Sequence, residues 1–310
     1  MATEEQSGVQ SEGRYVHANG TDIHYVEAGK GEPLLLLHGG LVSTNPIWAG
    51  HPGGWVSHVD TFAEHFRVIA PDTRGHGRTA NPGGGPIPFT QLADDVVALI
   101  DALGLDRPMI CGFSDGGMTT TMVGIQSPES VRAIVNYAGY DMLNPKAPSF
   151  TMMRQMLGGS PEATKADPVM VEGTFASQEM HGFFDRMKAD HDAPGAVSLQ
   201  ALTAGIFDRL TQSSGYTFED LSKITVPTLI LTGDRDLVCS VEEGVEAYRM
   251  LQQGELAVLA NHRHFISSSA VQVSIEFLER HQLARQPARL LVDHYSVCFR
   301  EHSPSRQSDE

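Results

Sequence analysis

Two apolar rhythms alternate along most of this chain. Short, almost unbroken apolar runs recur at "PLLLLHGG" (33–40), "FRVIAP" (66–71), "PMICG" (108–112), "VRAIVNY" (131–137), "PTLILTG" (227–233) and "LAVLA" (256–260). Runs of this length with no polar face suit strands buried on both sides of a sheet. "IHYVEAG" (23–29) is a further strand candidate before them. Between the runs, apolar residues fall at helical spacing. Leu92, Val96, Ile100 and Leu103 form one stripe, widened by Val97 and Leu99; Val241, Val245 and Tyr248 form a second, and Val271, Ile275 and Leu278 a third. This periodicity predicts helices over 90–103, 241–251 and 267–281. Further helices are expected at 55–65 and 115–125. Strands alternating with helices imply an α/β fold whose mostly parallel sheet is covered on both faces.

The alternation breaks between about Gly139 and Phe218. That stretch is rich in Met, Phe, Asp and His, holds no clear buried strand, and reads as a helical insertion. The expected organisation is a polar, disordered lead at 1–13, a core formed by 14–138 and 219–282, the insertion at 139–218, and a tail at 283–310 with no structural assignment.

Composition narrows the partners. The chain has 310 residues, 22 basic against 38 acidic, for a net charge of −16. Nucleic-acid backbones and anionic membranes call for basic patches, so neither is an expected partner. Three scattered cysteines give no disulfide framework, and no apolar run approaches a membrane span. With no signal-peptide layout at the start, a cytoplasmic location is the expectation.

The chemistry concentrates in "ICGFSDGGM" (110–118). Gly112-Phe113-Ser114-Asp115-Gly116 fits G-x-S-x-G between a strand and a helix, the setting of a nucleophile elbow. Glycines two before and two after give clearance to a strained turn, and the following helix aims its amides at the serine. A serine hydroxyl needs a base, and the base needs an orienting acid, in the chain order Ser, acid, His. Asp236 is the acid candidate, just past the strand "PTLILTG", with Asp234 second; either could instead cap the next helix. His264, in "LAVLANHRHF", is the base candidate, with His262 as its neighbour.

With these residues in place, the chain resembles the α/β-hydrolase-fold serine hydrolases over about residues 14–282. His264 before Phe265 matches the family's short loop between last strand and last helix, with Arg263 where a glycine is usual. "LLLLHGG" resembles the His-Gly motif that supplies an oxyanion amide, and "PDTRGHGRT" the D-x-R-G-x-G-x-S/T loop, where Asp72 and Arg74 are structural. "GFSDGG" with "NYAGYDM" is similar to the biphenyl-hydrolase-like branch, which includes amino-acid ester hydrolases. The resemblance implies an eight-stranded, mostly parallel sheet with 139–218 as a helical cap. It implies an oxyanion hole from the N–H groups of Gly40 and Asp115. Leu41 and Trp48 are candidates for the pocket, as are Met152, Met156, Phe183 and Phe184 with Met153 beside them, though each residue of the cap could equally be cap core. His181, His191 and Asp192 fit no metal-ligand pattern and read as surface residues.

The expected function is hydrolysis of small carboxylic esters, without cofactor or metal. Lactone hydrolysis, carbon–carbon cleavage and ligand sensing on the same fold remain open, as does the role of the Asp115 carboxylate.

Overall fold

The computed structural model describes residues 13–50, 54–144, 146–175, 181–191, 196–211 and 214–282. The expected lead and tail lie outside these except for Gly13, as does Asp192. Eight strands form one sheet: β1 (Arg14–Ala18), β2 (Thr21–Ala28), β3 (Pro33–Leu37), β4 (Arg67–Pro71), β5 (Met109–Phe113), β6 (Ile134–Tyr137), β7 (Thr228–Gly233) and β8 (Gly254–Leu259). Their order is β1-β2-β4-β3-β5-β6-β7-β8. The pairs β1/β2 and β2/β4 are antiparallel and all others parallel, which bears out the α/β reading.

The apolar runs occupy the middle of this sheet for a simple reason. Leu34 to Leu37 and all of β5, β6 and β7 are buried, because helices pack on both faces there. β1 was not among the expected strands. It lies at the sheet edge, where only Ala18 is buried, so its sequence carries no continuous apolar signal. Asn19 and Gly20 both take left-handed φ values, 46° and 75°, as a two-residue hairpin turn requires.

The core helices are α1 (Val59–Ala63), α2 (Phe89–Ala102), α3 (Asp115–Gln126), α8 (Val241–Met250) and α9 (Ser268–Arg280); α2, α8 and α9 follow the three stripes, and α1 occupies only the second half of the expected 55–65 span. Between β6 and β7 stand four more, α4 (Pro148–Gly158), α5 (Pro168–Phe175), α6 (His181–His191) and α7 (Leu199–Leu210). They build a second apolar cluster from Leu157, Val171, Met187, Leu202 and Phe207, joined by Val42 and Trp48 from the loop after β3. Among the described residues no helix is long and apolar enough to cross a membrane.

Candidate active site

Strand β5 ends in a turn that only a particular sequence can make. Ser114 sits at φ 54°, ψ −118°, a strained conformation for a residue with a side chain. Its glycines are forced by close packing. A Cβ at Gly112 would stand 2.1 Å from the Gly116 carbonyl oxygen, and one at Gly116 would stand 2.2 Å from that of Leu37. The turn leaves Ser114 at the amino end of α3, whose first N–H groups have no partner within the helix.

The chain's fold brings Ser114, His264 and Asp236 into one hydrogen-bonded line. His264 Nε2 lies 3.0 Å from Ser114 Oγ, and His264 Nδ1 lies 2.8 Å from Asp236 Oδ2. A carboxylate accepts only, so Nδ1 carries the proton and Nε2 presents its lone pair to the serine hydroxyl. The Asp236 side chain is fully buried, and its Oδ1 accepts from the amides of Val238 and Cys239 at 2.8 and 2.9 Å. Asp234 instead accepts from the His262 amide, and His262 Nδ1 pairs with the Ala260 carbonyl. The left-handed position in this loop falls on Asn261 (φ 58°), so Arg263 needs no glycine-like freedom. Tyr137 donates its hydroxyl to the Phe265 carbonyl, and the Phe113 ring lies 4.9 Å from that of His264. Burial, with Asp236 nearby, pushes the Tyr137 phenol up, which keeps it a donor.

The His-Gly-Gly loop packs against the same turn. A Cβ on Gly39 would be 3.3 Å from Ser114 Cβ, and one on Gly40 would be 3.0 Å from Asp115 Oδ2. His38 fixes this loop: Nε2 accepts from the Thr73 amide at 3.0 Å, so Nδ1 donates to the Gly39 carbonyl at 2.7 Å. Burial lowers the His38 pKa despite Asp72 nearby and keeps the ring neutral for that role. Asp72 accepts from the amides of Thr44 and Arg78, and Arg74 grips Asp95 with two nitrogens at 2.7 Å each. Leu41 takes a left-handed φ of 66° beside Gly40.

A cavity of about 260 Å³ opens over Ser114, Gly40, Asp115 and His264. Leu41, Met152, Met153, Met156 and Phe183 lie on its wall. Trp48 and Phe184 are placed elsewhere. Trp48 is fully buried with its indole N–H on Asp190 at 2.8 Å, and Phe184 packs into the insertion's own cluster. Large aromatic residues reach either place from the same sequence pattern, so nothing local separates the two.

Four further polar residues in and around the site were not anticipated. Arg209, on α7, binds the Asp115 carboxylate. Asp190, on α6, accepts from Ser43 Oγ as well as from Trp48. Asp141 lines the cavity, where burial pushes its carboxyl up to about 6 against the opposing pull of Ser149 and His264. Tyr137 is the fourth. Arg209 and Asp190 follow from contacts distant in sequence; for Tyr137 and Asp141, position at or just past the carboxyl end of β6 was an available signal. His191, read as a surface residue, is instead buried with Nδ1 on the Val197 carbonyl, because α6 turns it inward. No cluster of three or more metal-capable side chains occurs among the described residues.

Comparison with known proteins gives the family. The chain belongs to the alpha/beta hydrolase fold family, whose model matches residues 32–269. It is 32% identical over 254 residues to a 2-hydroxy-6-oxo-6-(2'-aminophenyl)hexa-2,4-dienoic acid hydrolase of Metapseudomonas resinovorans, covering 77% of this chain and 78% of that one. It is 24% identical to an (E)-2-((N-methylformamido)methylene)succinate hydrolase of Acinetobacter baylyi, covering 82% and 91%. Among solved structures, an N-acyl homoserine lactone degrading enzyme superposes with a TM-score of 0.63 at 26% identity, covering 86% and 99%. The chain is therefore an enzyme of the α/β-hydrolase superfamily, whose members here hydrolyse varied substrates.

Proposed function

We propose that this enzyme hydrolyses small, uncharged carboxylic esters through an acyl-enzyme on Ser114. The observation that carries the reading is the hydrogen-bonded line from Asp236 through His264 to Ser114, at 2.8 and 3.0 Å. His264 takes the serine proton as Oγ attacks the carbonyl carbon, then returns it to the departing alkoxide. Asp236 holds the ring in the needed tautomer and stabilises the imidazolium. The amides of Gly40 and Asp115 receive the oxyanion, each worth about 3 kcal/mol in the transition state. Water, deprotonated by His264, then releases the acid. The insertion α4–α7 serves as the cap over the site, and the line of methionines on α4 adapts to varied apolar groups.

Charge supports the choice of an uncharged substrate. The ionisable groups on the described cavity wall are Asp115, Asp141 and His264, and no lysine or arginine stands among them. Asp115 is held by Arg209, which stands off this wall, so a substrate carboxylate there would meet no wall lysine or arginine and would face the Asp141 carboxylate. Carbon–carbon cleavage is the second reading, supported by the identity to the dienoic acid hydrolase; the lack of a lysine or arginine on the described cavity wall weighs against its acid substrate.

The test is turnover of p-nitrophenyl butyrate beside an ester of equal length bearing a terminal carboxylate. Wild-type protein should prefer the neutral ester at least tenfold, and Ser114→Ala should lose at least about 1,000-fold in kcat. Retained turnover in Ser114→Ala would rule out the assignment.

A further inference from the structure

The Asp115 carboxylate occupies an awkward place. Its own amide and that of Gly40 are the proposed oxyanion donors, and its Oδ2 stands 3.0 Å from where a Gly40 Cβ would lie. The carboxylate is buried, so water screens it poorly. An uncompensated anion here would oppose the negative charge that must develop on the substrate oxygen.

Arg209 removes that opposition. It reaches from α7, 94 residues along the chain, and sets Nη2 at 2.5 Å and Nε at 3.1 Å from Asp115 Oδ2. Its side chain is 1% exposed. Nη1 donates to the Ile87 carbonyl at 3.4 Å, the guanidinium lies 5.4 Å from the Phe89 ring centre, and Nη2 faces His76 Nε2 at 3.4 Å. Burial, reinforced by His38 and by Arg209 itself, holds His76 well below its ordinary pKa, so it adds no competing cation. Arg209 is absent from the wall of the catalytic cavity. It lines a separate space of about 270 Å³ between α7 and the 75–87 loop, so it acts through Asp115 and not on substrate.

We infer that Arg209 is a positioning residue that neutralises Asp115 beside the oxyanion amides, making full activity conditional on α7 being docked against the nucleophile turn. The inference rests on the serine-hydrolase reading. It also answers what Asp115 is for: its carboxylate is already paired, and so is not a receptor for a substrate ammonium group.

The experiment compares Arg209→Met, Asp115→Asn and the double variant, using p-nitrophenyl butyrate turnover, fluorophosphonate labelling of Ser114, and the thermal midpoint of each protein. Arg209→Met should lower kcat and the labelling rate about 100-fold with KM within about threefold. The double variant should recover at least tenfold of that loss, since no buried anion is left behind. Arg209→Lys, which keeps the charge but not the two-nitrogen grip, should fall in between. If Arg209→Met does not fold, Arg209→Gln takes its place in the same comparison.

A double variant as slow as its Arg209 parent would overturn the charge argument and leave Arg209 as a mere tether for α7. Wild-type kcat in the single Arg209 variant would overturn it equally. A wild-type preference for ammonium-bearing esters that Asp115→Asn abolishes would show the carboxylate binding substrate instead. Wild-type protein that neither labels nor turns over the ester defeats the serine-hydrolase reading, and this inference with it.

Discussion

The nucleophile side of the cavity and the helical side above it are built on different principles. On the sheet side, the loops and the acid of the site are fixed by hydrogen bonds between a side chain and backbone. Asp236 is gripped by two amides, the His264 loop by Tyr137, and the His-Gly-Gly loop by His38. Strain at Ser114 persists because glycines and neighbouring strands leave no other path. On the helical side, α4–α7 share an apolar cluster with Val42 and Trp48, and buried side-chain contacts tie them to the sheet side. Asp190 holds Ser43 and Trp48, and Arg209 holds Asp115. Chemistry demands fixed geometry, whereas substrate choice tolerates a wall of methionines. The contrast teaches that the two halves should fail differently when altered.

The largest effect should come from the rigid half. Asp236→Asn keeps the shape but deprives His264 of the acceptor that sets its tautomer, and kcat should fall by about 10⁴-fold with little change in thermal midpoint. A loss below tenfold would mean the acid is not needed, and the contrast would break there.

Altering a tether of the helical half should act on stability before chemistry. Asp190→Ala removes the buried carboxylate that accepts from both the Ser43 hydroxyl and the Trp48 indole N–H, at a cost of about 1–3 kcal/mol and a drop of roughly 3–8 °C in thermal midpoint. KM should rise more than kcat falls. The reverse split in steady-state kinetics would put Asp190 among the groups that serve the chemistry.

Met156→Ala sharpens the comparison from the wall. Enlarging the cavity should raise kcat/KM for longer acyl chains up to about tenfold relative to short ones, with an unchanged rate of Ser114 labelling. No shift across a series of p-nitrophenyl esters would remove Met156 from the substrate path.

The smallest effect concerns pH. Burial lowers the pKa of His38 in the folded protein, so below its ordinary value of 6.5 the unfolded chain binds the proton more readily. Stability should therefore fall as pH drops from about 6.5, by at most about 1.4 kcal/mol per pH unit for this group. Asp141, whose pKa is raised to about 6 by burial, works in the opposite direction: its destabilisation sets in as pH rises through the range from 3.8 to about 6. His38→Gln keeps a donor and an acceptor but does not titrate. The difference between its melting profile and that of the wild type, between pH 5 and 6.5, isolates the histidine. Parallel profiles would show that His38 contributes no such dependence.

Local patterns alone determined a good deal. Continuous apolar runs name the buried strands, because a strand covered on both faces has no polar side to show. Glycines around Ser114 announce a turn in which a Cβ has no room. Asp236 and His264 are candidates from their places after two strands, since strand ends deliver side chains to one edge of a parallel sheet, and the fold brings both to Ser114. The edge strand β1 escaped the same logic because it has only one neighbour and little burial.

Tertiary structure alone decided the rest. The sequence names Asp115 and Arg209 as two charges among sixty, and nothing in their surroundings predicts a pair across 94 positions. Ser43 and Asp190 meet across 147. Trp48 and Phe184 turn into packing while Phe183 turns toward the cavity, although the two phenylalanines are adjacent. Backbone sterics and burial patterns are written within a few residues of each other. Charge partners and cavity walls exist only once distant segments have been brought together, so the partner of Asp115 could be read only from the fold.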